Sequence, residues 1–145
     1  MLMKYCNHAG CNKLINYNEK YCTKHKQDKA NSKKEYETQY RDKDAKRFYN
    51  SKEWKVTRQQ AMIKQNGIDL YLYMTTGEVV KAEHVHHIIE RDEDTSKALD
   101  PNNLICLSHS THSIISKIYR QSAAKKRAKQ KELLTIVKKY YQRQQ

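Results

Sequence analysis

Histidines cluster in one short stretch of the sequence, AEHVHHIIE at residues 82–90. His84, His86 and His87 fall within it, three of the chain's seven histidines. Side chains two positions apart on a strand share a face, and neighbouring side chains point to opposite faces. The three rings therefore cannot all serve one role from a regular strand. A metal site, a catalytic pair and buried polar side chains are the interpretations that this stretch leaves open.

Two further polar residues follow at separations that suit one reaction centre. Asn103 opens the next apolar run, and His112 lies nine positions beyond it. Hydrolysis of a phosphodiester needs a base that takes a proton from the attacking water and a Lewis acid near the scissile phosphate. Histidine is a base near neutral pH, two imidazoles can hold one divalent ion, and an asparagine can tie the backbone of a loop. These residue types suit metal-assisted phosphodiester hydrolysis.

A second group of chemistry-bearing residues lies near the N-terminus. Cys6, Cys11, Cys22 and His25 follow the pattern C-x4-C-x10-C-x2-H, and His8 is a spare ligand whose spacing fits less well. Two close ligand pairs separated by a short loop are typical of a structural Zn²⁺ site. The segment has few apolar residues, so metal binding is expected to supply its folding free energy, on the order of 10 kcal/mol or more. Free thiols in a disordered tail are the alternative.

The segment VHHII…DPNNLICLSHSTH resembles the HNH endonucleases, a family with the ββα-metal fold. In that family an Asp or His precedes the catalytic His, an Asn opens the second strand, and a His or Asn follows nine positions later. The resemblance implies that His86 and His112 hold a divalent ion. It also implies that His87 is the general base and Asn103 the central asparagine. The stretch FYNSKEWKVTRQQAMI and the cysteine-rich segment resemble small phage-type HNH proteins too, so the likeness covers about residues 5–118.

The sequence departs from many members of this family at one place. Those members carry two Cys-x-x-Cys pairs that bind a structural zinc beside the catalytic hairpin. The equivalent positions here are Leu70, Tyr73, Ser108 and Thr111, and none is a cysteine. We therefore expect this core to lack that zinc and to rely on apolar packing by Leu70, Tyr73 and Cys106. Cys106 stands alone on an apolar stretch and is expected to be a buried thiol.

The elements that must position these residues can be predicted in outline. A helix is expected between Ser51, as its N-cap, and Gly67, as its C′ residue. Strands are expected at 79–89 and in the apolar run after Asn103, followed by a helix over 109–141. The helical positions expected to be apolar or inward-facing are Trp54, Ala61, Met62, Ile114, Ile115, Ile118, Leu133, Leu134 and Val137.

The organisation expected for the whole chain is an α+β fold, mainly helical, with a ββα-metal (His-Me finger) core. Residues 1–26 are predicted to be a zinc-binding module, and residues 27–49 a charged connector that is either an exposed helix or mobile. Residues 50–120 are expected to form the nuclease core, and residues 121–145 a basic C-terminal helix.

Composition restricts the partners. The net charge is +13 and the sequence pI is about 9.6, which favours nucleic acid first and an anionic membrane surface second. No apolar stretch is long enough for a transmembrane helix and no secretory signal is recognised, so a reducing, intracellular setting is expected. The last 33 residues carry ten Lys or Arg and one acidic residue. Phosphate contacts are expected from Lys125, Lys126, Arg127 and Lys129.

Five other polar residues near the histidines receive lesser roles. His84 and His109 are expected to be surface residues or to contact the metal-binding side chains. Glu90 and Asp100 are candidates for contacts with histidines. Asn102 is expected to serve the turn after the neighbouring proline.

The leading hypothesis is a metal-dependent endonuclease that nicks or cuts DNA, with a structural Zn²⁺ and one divalent ion (Mg²⁺, Mn²⁺, Ni²⁺ or Zn²⁺) at the active site. A non-catalytic, zinc-containing DNA-binding protein with a relic HNH fold is one alternative, and an RNA-acting nuclease is another. The resemblance also implies a phage protein in the cytoplasm of a bacterial host, with packaging (terminase) proteins as partners and no membrane.

Overall fold

Five α-helices and two small antiparallel sheets make up the described part of the chain, which has an α+β architecture. The computed structural model describes residues 2–145, apart from the side chains of residues 41 and 42. The chain divides into two compact units, Met1–Tyr49 and Asn50–Gln145. No helix in the described residues is long and apolar enough to cross a membrane.

The first unit consists of a two-stranded hairpin and a long helix. Strand β1 (Met3–Tyr5) pairs antiparallel with β2 (Leu14–Asn16), and α1 (Thr23–Tyr49) follows. Its buried apolar side chain is Ile15, which packs beside the buried Cys6 and Cys22. Residues 27–49 form part of α1, which is the exposed helix of the two predicted possibilities.

The second unit begins with α2 (Lys52–Lys64), whose ends are capped by local hydrogen bonds. Ser51 is the N-cap, as predicted, and its Oγ accepts from the Trp54 backbone N–H at 3.2 Å. The predicted C′ residue was wrong by one position. Asn66 takes the left-handed conformation (φ 59°), and its N–H and that of Gly67 donate to the carbonyls of residues 63 and 62.

Helix α3 (Leu70–Thr76) was not foreseen from the sequence, where LYLYM is an apolar run too short to show a period. Asp69 starts it, because its carboxylate accepts from the Leu72 N–H at 2.9 Å. Gly77, with φ 78°, ends it in the left-handed conformation.

A β-hairpin and a helix form the centre of the second unit. Strand β3 (His84–His87) pairs antiparallel with β4 (Leu104–Leu107), which places His86 opposite Ile105 and His87 opposite Leu104. The loop between the strands contains two one-turn 3-10 helices, and α4 (His109–Gln121) follows β4. The expected ββα order is confirmed, although β3 is shorter than the predicted 79–89.

The C-terminal segment folds as two helices where one was expected. Ser122 separates α4 from α5 (Ala123–Arg143): its backbone is extended and its Oγ accepts from the Lys125 N–H at 3.1 Å. Helix α5 packs into the core of the second unit. Ile114, one of the apolar positions of α4, is 61% exposed and lies outside the core. The buried core of this unit comprises Leu70, Ile88, Ile105, Leu107, Ile115, Tyr119, Leu133, Ile136, Val137 and Tyr140.

Candidate active site

The end of β3 places two adjacent histidines in different surroundings. His86 and His87 are both buried, and strand geometry directs them to opposite faces. The His87 ring stacks on Trp54, with ring centroids 4.8 Å apart. Its Nε2–H donates to the Ala98 carbonyl oxygen at 2.9 Å. In the neutral imidazole this leaves the basic lone pair on Nδ1.

His86 faces the helix that follows β4. Its ring centroid lies 5.3 Å from that of His112 and 5.3 Å from that of Tyr119. Its Nε2 is buried and has no hydrogen-bond partner among the described residues. Burial, with smaller contributions from the neighbouring rings of His112 and His87, lowers the pKa of His86 to about 3. His86 is therefore neutral at physiological pH.

This pair of rings fits a divalent ion. Burial, followed by the nearby His84 and His109, also lowers the pKa of His112, so both imidazoles are in the neutral form that binds metal. A buried nitrogen without a partner is costly unless it bonds to something, and coordination would satisfy His86 Nε2. Imidazole ligands suit Zn²⁺, Ni²⁺ and related ions, and open positions would remain for phosphate and water.

Asn103 ties together the two ends of the β3–β4 loop. Its side chain is 2% exposed. Its Oδ1 accepts from the Ile89 N–H at 2.8 Å, and its Nδ2 donates to the carbonyls of Ile89 at 3.0 Å and Lys97 at 3.2 Å. Because Ala98 follows Lys97, this amide also fixes the carbonyl that orients His87.

Two further histidines extend the cluster toward the surface. His84 Nε2 lies 3.1 Å from His109 Nδ1, and the His84 ring stacks on His112 with centroids 4.7 Å apart. The Glu83 carboxylate accepts from the backbone N–H of His109 at 2.9 Å. His84 therefore contacts the predicted ligand His112, and His109 in turn contacts His84.

The acidic candidates have other partners. Glu90 pairs with Lys126, and Asp100 caps the turn that leads to β4. The Asn102 backbone N–H donates to Asp100 Oδ1 at 2.9 Å, which is the turn role expected of that position. Their described contacts thus do not support the suggestion that Glu90 and Asp100 touch the histidines.

A polar network includes Ser108 and Thr111, two of the four positions that the resemblance equates with zinc-binding cysteines. Asp69 is fully buried, and its Oδ2 accepts from the backbone N–H and the hydroxyl of Ser108, at 2.9 and 2.8 Å. Ser108 Oγ also lies 3.1 Å from Thr111 Oγ1. Leu70 and Cys106 are buried as expected, whereas Tyr73 is 39% exposed. Apolar packing alone was thus an incomplete prediction, because Asp69 links α3 to the start of α4.

Sequence reasoning missed two groups that contact the predicted base. The Ala98 carbonyl belongs to the backbone, so no residue type in the sequence indicates its contact with His87. Trp54 was expected only as a core residue of α2, and its contact with His87 depends on how α2 packs beside β3.

The four predicted zinc ligands come together in the first unit. The ligand atoms of Cys6, Cys11, Cys22 and His25 all lie within 4.8 Å of one another. Burial opposes ionisation of Cys6, but hydrogen bonds from the backbone of Cys22 and His8 and from the His25 side chain outweigh it and lower the pKa to about 6. The cluster therefore favours a thiolate, as a metal ligand requires.

His8 stands outside this cluster of four. Its ring stacks on His25 at 3.8 Å, and its Nδ1–H donates to the Ala9 carbonyl at 3.0 Å.

The predicted phosphate-binding cations differ in what they contact. Lys126 forms ion pairs with Glu90, at 2.6 Å, and with Glu93. Lys129 forms one with Glu132 at 2.6 Å. Both cations are thus paired within the protein, and their role as DNA contacts stays a prediction. Lys125 and Arg127, the other two predicted contacts, are exposed.

Comparisons with known proteins give two matches, one to a family and one to a solved structure. Residues 1–47 match a family described as a domain of unknown function, DUF8602. The chain is also similar to the crystal structure of an HNH endonuclease with manganese ion from the deep-sea thermophilic bacteriophage GVE2. That match has 32% sequence identity and a TM-score of 0.52, and covers 58% of this chain and 90% of the phage protein. No curated protein matches the sequence.

Proposed function

The chain belongs to the HNH endonuclease family, and on that premise we propose that it is a metal-dependent endonuclease that hydrolyses DNA phosphodiester bonds. The proposal rests mainly on the different surroundings of His86 and His87, which are adjacent at the end of β3. The buried Nε2 of His86 has no hydrogen-bond partner in the described part of the chain, and its ring lies beside that of His112. His87, next to it, is held by a backbone carbonyl on the other face.

In the proposed reaction His87 is the general base. The Ala98 carbonyl holds its Nε2–H, and Nδ1 takes a proton from the attacking water. The oxygen of that water bonds to phosphorus as the bond from phosphorus to the leaving 3′ oxygen breaks. Asn103 keeps the loop that carries Ala98 in place, and is a positioning residue in this scheme.

His86 and His112 would hold the divalent ion, whose Lewis acidity stabilises the charge on the scissile phosphate and the leaving oxygen. Burial keeps both rings neutral, so no proton competes for their nitrogens near neutral pH. The Cys6, Cys11, Cys22 and His25 cluster supports a second, structural ion, for which zinc is the proposed identity.

Nicking of supercoiled plasmid tests the proposal. Protein loaded with zinc should nick DNA when Mg²⁺, Mn²⁺ or Ni²⁺ is added, and should be inactive without an added ion. His87→Ala should lower the rate by about 10²–10⁴, the usual contribution of a general base, and leave DNA affinity near that of the wild type. His8→Ala, which removes a histidine outside both predicted ligand sets, is the matched control.

An unchanged nicking rate in His87→Ala would remove that residue from the mechanism. Ion-independent DNA binding without cleavage would favour a non-catalytic DNA-binding protein with a relic HNH fold. Cleavage of single-stranded RNA in preference to duplex DNA would favour an RNA-acting nuclease.

A further inference from the structure

We propose that a basic groove along α5, lined by Arg127, Lys131 and Lys138 and bordered by Ile89, binds the phosphate backbone of the duplex that the active site cleaves; this inference rests on the proposed function. The remaining lining residues are Gln130, Leu134 and Thr135. We call this surface the α5 groove.

Helix geometry places the three cations on one side of α5. Steps of four and eleven residues lie close to whole turns of 3.6 residues, so Arg127, Lys131 and Lys138 share a face. At 1.5 Å per residue the row is about 16 Å long. Phosphates of one strand rise about 3.4 Å each along the axis of B-DNA, so the row can follow several of them.

These three cations are available for an external partner, unlike Lys126 and Lys129. Arg127, Lys131 and Lys138 are exposed, and none makes an ion pair or a side-chain hydrogen bond with the residues that the structure describes. The charges on one helix are therefore divided. Lys126 and Lys129 form ion pairs within the protein, whereas Arg127, Lys131 and Lys138 line the groove.

The acidic residues that contact the groove lining, or share α5 with it, are paired with lysines. Glu93 accepts from Gln130, a lining residue, at 3.1 Å, and both Glu93 and Glu90 pair with Lys126. Glu132 pairs with Lys129. Among the described residues, no acidic side chain lines the groove. A polyanion can consequently lie along the groove without facing a carboxylate of its lining.

The groove is continuous with the loop that positions the predicted base. Ile89, at its border, is two residues after His87, and both of its backbone groups are bound by Asn103. Gln130 donates to the carbonyl of Ile88 at 3.2 Å. Duplex DNA bound along α5 therefore lies beside Ile88 and Ile89, the residues that directly follow the predicted base His87.

The test measures duplex affinity as a function of salt with zinc-loaded protein and no added divalent ion. Arg127→Gln and Lys131→Gln should each lower the slope of log K against log salt by about 1, as expected for loss of one phosphate contact. Lys139→Gln is the matched control: it removes an exposed cation from the same helix, but Lys139 is outside the groove. Its slope should stay close to that of the wild type.

Equal slopes in all variants, or an equal loss in Lys139→Gln, would overturn the α5 groove and leave only diffuse attraction to a basic surface. Nicking by the wild type with an added ion is measured in parallel. Active protein with unchanged slopes refutes the groove alone, whereas inactive protein with the predicted slopes refutes the nuclease proposal and retains the groove as a DNA-binding surface.

Discussion

Two neighbouring histidines can carry different chemistry because a strand turns them into different surroundings. His86 Nε2 has no hydrogen-bond partner among the residues that the structure describes, so we propose that a metal ion satisfies it. His87 receives a fixed partner in the Ala98 carbonyl, which selects its tautomer. The residue type is the same in both positions, and the division of roles that we propose comes from burial and backbone contacts.

Burial also determines the behaviour of the cysteine outside the N-terminal cluster. Burial is the main cause that raises the pKa of Cys106 to about 12; the charge of Arg58 opposes this shift and that of Asp69 adds to it. A raised pKa keeps the thiol protonated at pH 8, and its side chain is fully buried. We expect one thiol of the native protein to resist a disulfide reagent at pH 8 until denaturant is added.

Thiol counting with and without a chelator checks this prediction. The chelator should expose three thiols, those of Cys6, Cys11 and Cys22, and denaturant should expose the fourth. Cys106→Ser is the control, because its total in denaturant should be three. A fourth thiol that reacts at the same rate as the others in native, chelator-treated protein would contradict the burial argument.

At the scale of elements, α5 does more than supply positive charge. Lys126 and Gln130 on this helix bind the loop that carries Ala98, through Glu90, Glu93 and the carbonyl of residue 88. Tyr119 of α4 donates to that same carbonyl at 2.8 Å. The loop beside His87 is therefore held from α4, from α5 and by Asn103.

Lys126→Ala tests this positioning role. Ion pairs at partly exposed sites contribute about 0–1 kcal/mol, so we expect kcat for nicking to fall by up to about fivefold as the loop loosens. The slope of log K against log salt should not change, because the charge of Lys126 is already neutralised by Glu90 and Glu93. Lys126→Arg should restore kcat. A slope that falls by about 1 would instead return Lys126 to the phosphate-contacting role predicted from the sequence.

Features that depend on a few neighbouring residues could be predicted from the sequence. Ser51 was predicted as an N-cap because a cap is a property of a few neighbouring residues. Asn103 and His112 were found by spacing from the histidine pair. The inward direction of Lys126 was not predictable in this way, because it depends on the packing of α5 against other elements. Ser122 is an N-cap of the same local kind as Ser51, and this signal within the predicted helix was missed.

At the scale of the whole molecule, the two units rely on different sources of stability. Unit Asn50–Gln145 buries a continuous apolar core. Among the described residues of unit Met1–Tyr49, the buried ones are Cys6, Ile15 and Cys22. A core of that size cannot offset the entropy of ordering the hairpin, and we propose that a bound metal supplies the difference. The two units should therefore respond differently to loss of metal.

Cys22→Ser should unfold the β1–β2 hairpin and leave the second unit folded. We expect amide resonances of residues 2–22 to lose their dispersion in a ¹H–¹⁵N correlation spectrum, while those of 50–145 keep theirs, because the second unit has its own core. His8→Ala, which leaves all four proposed ligands in place, should retain the dispersed hairpin signals. Dispersed hairpin signals in metal-free Cys22→Ser protein would show that the hairpin folds without metal. Collapse of dispersion throughout 50–145 would show that the second unit depends on the first for its stability.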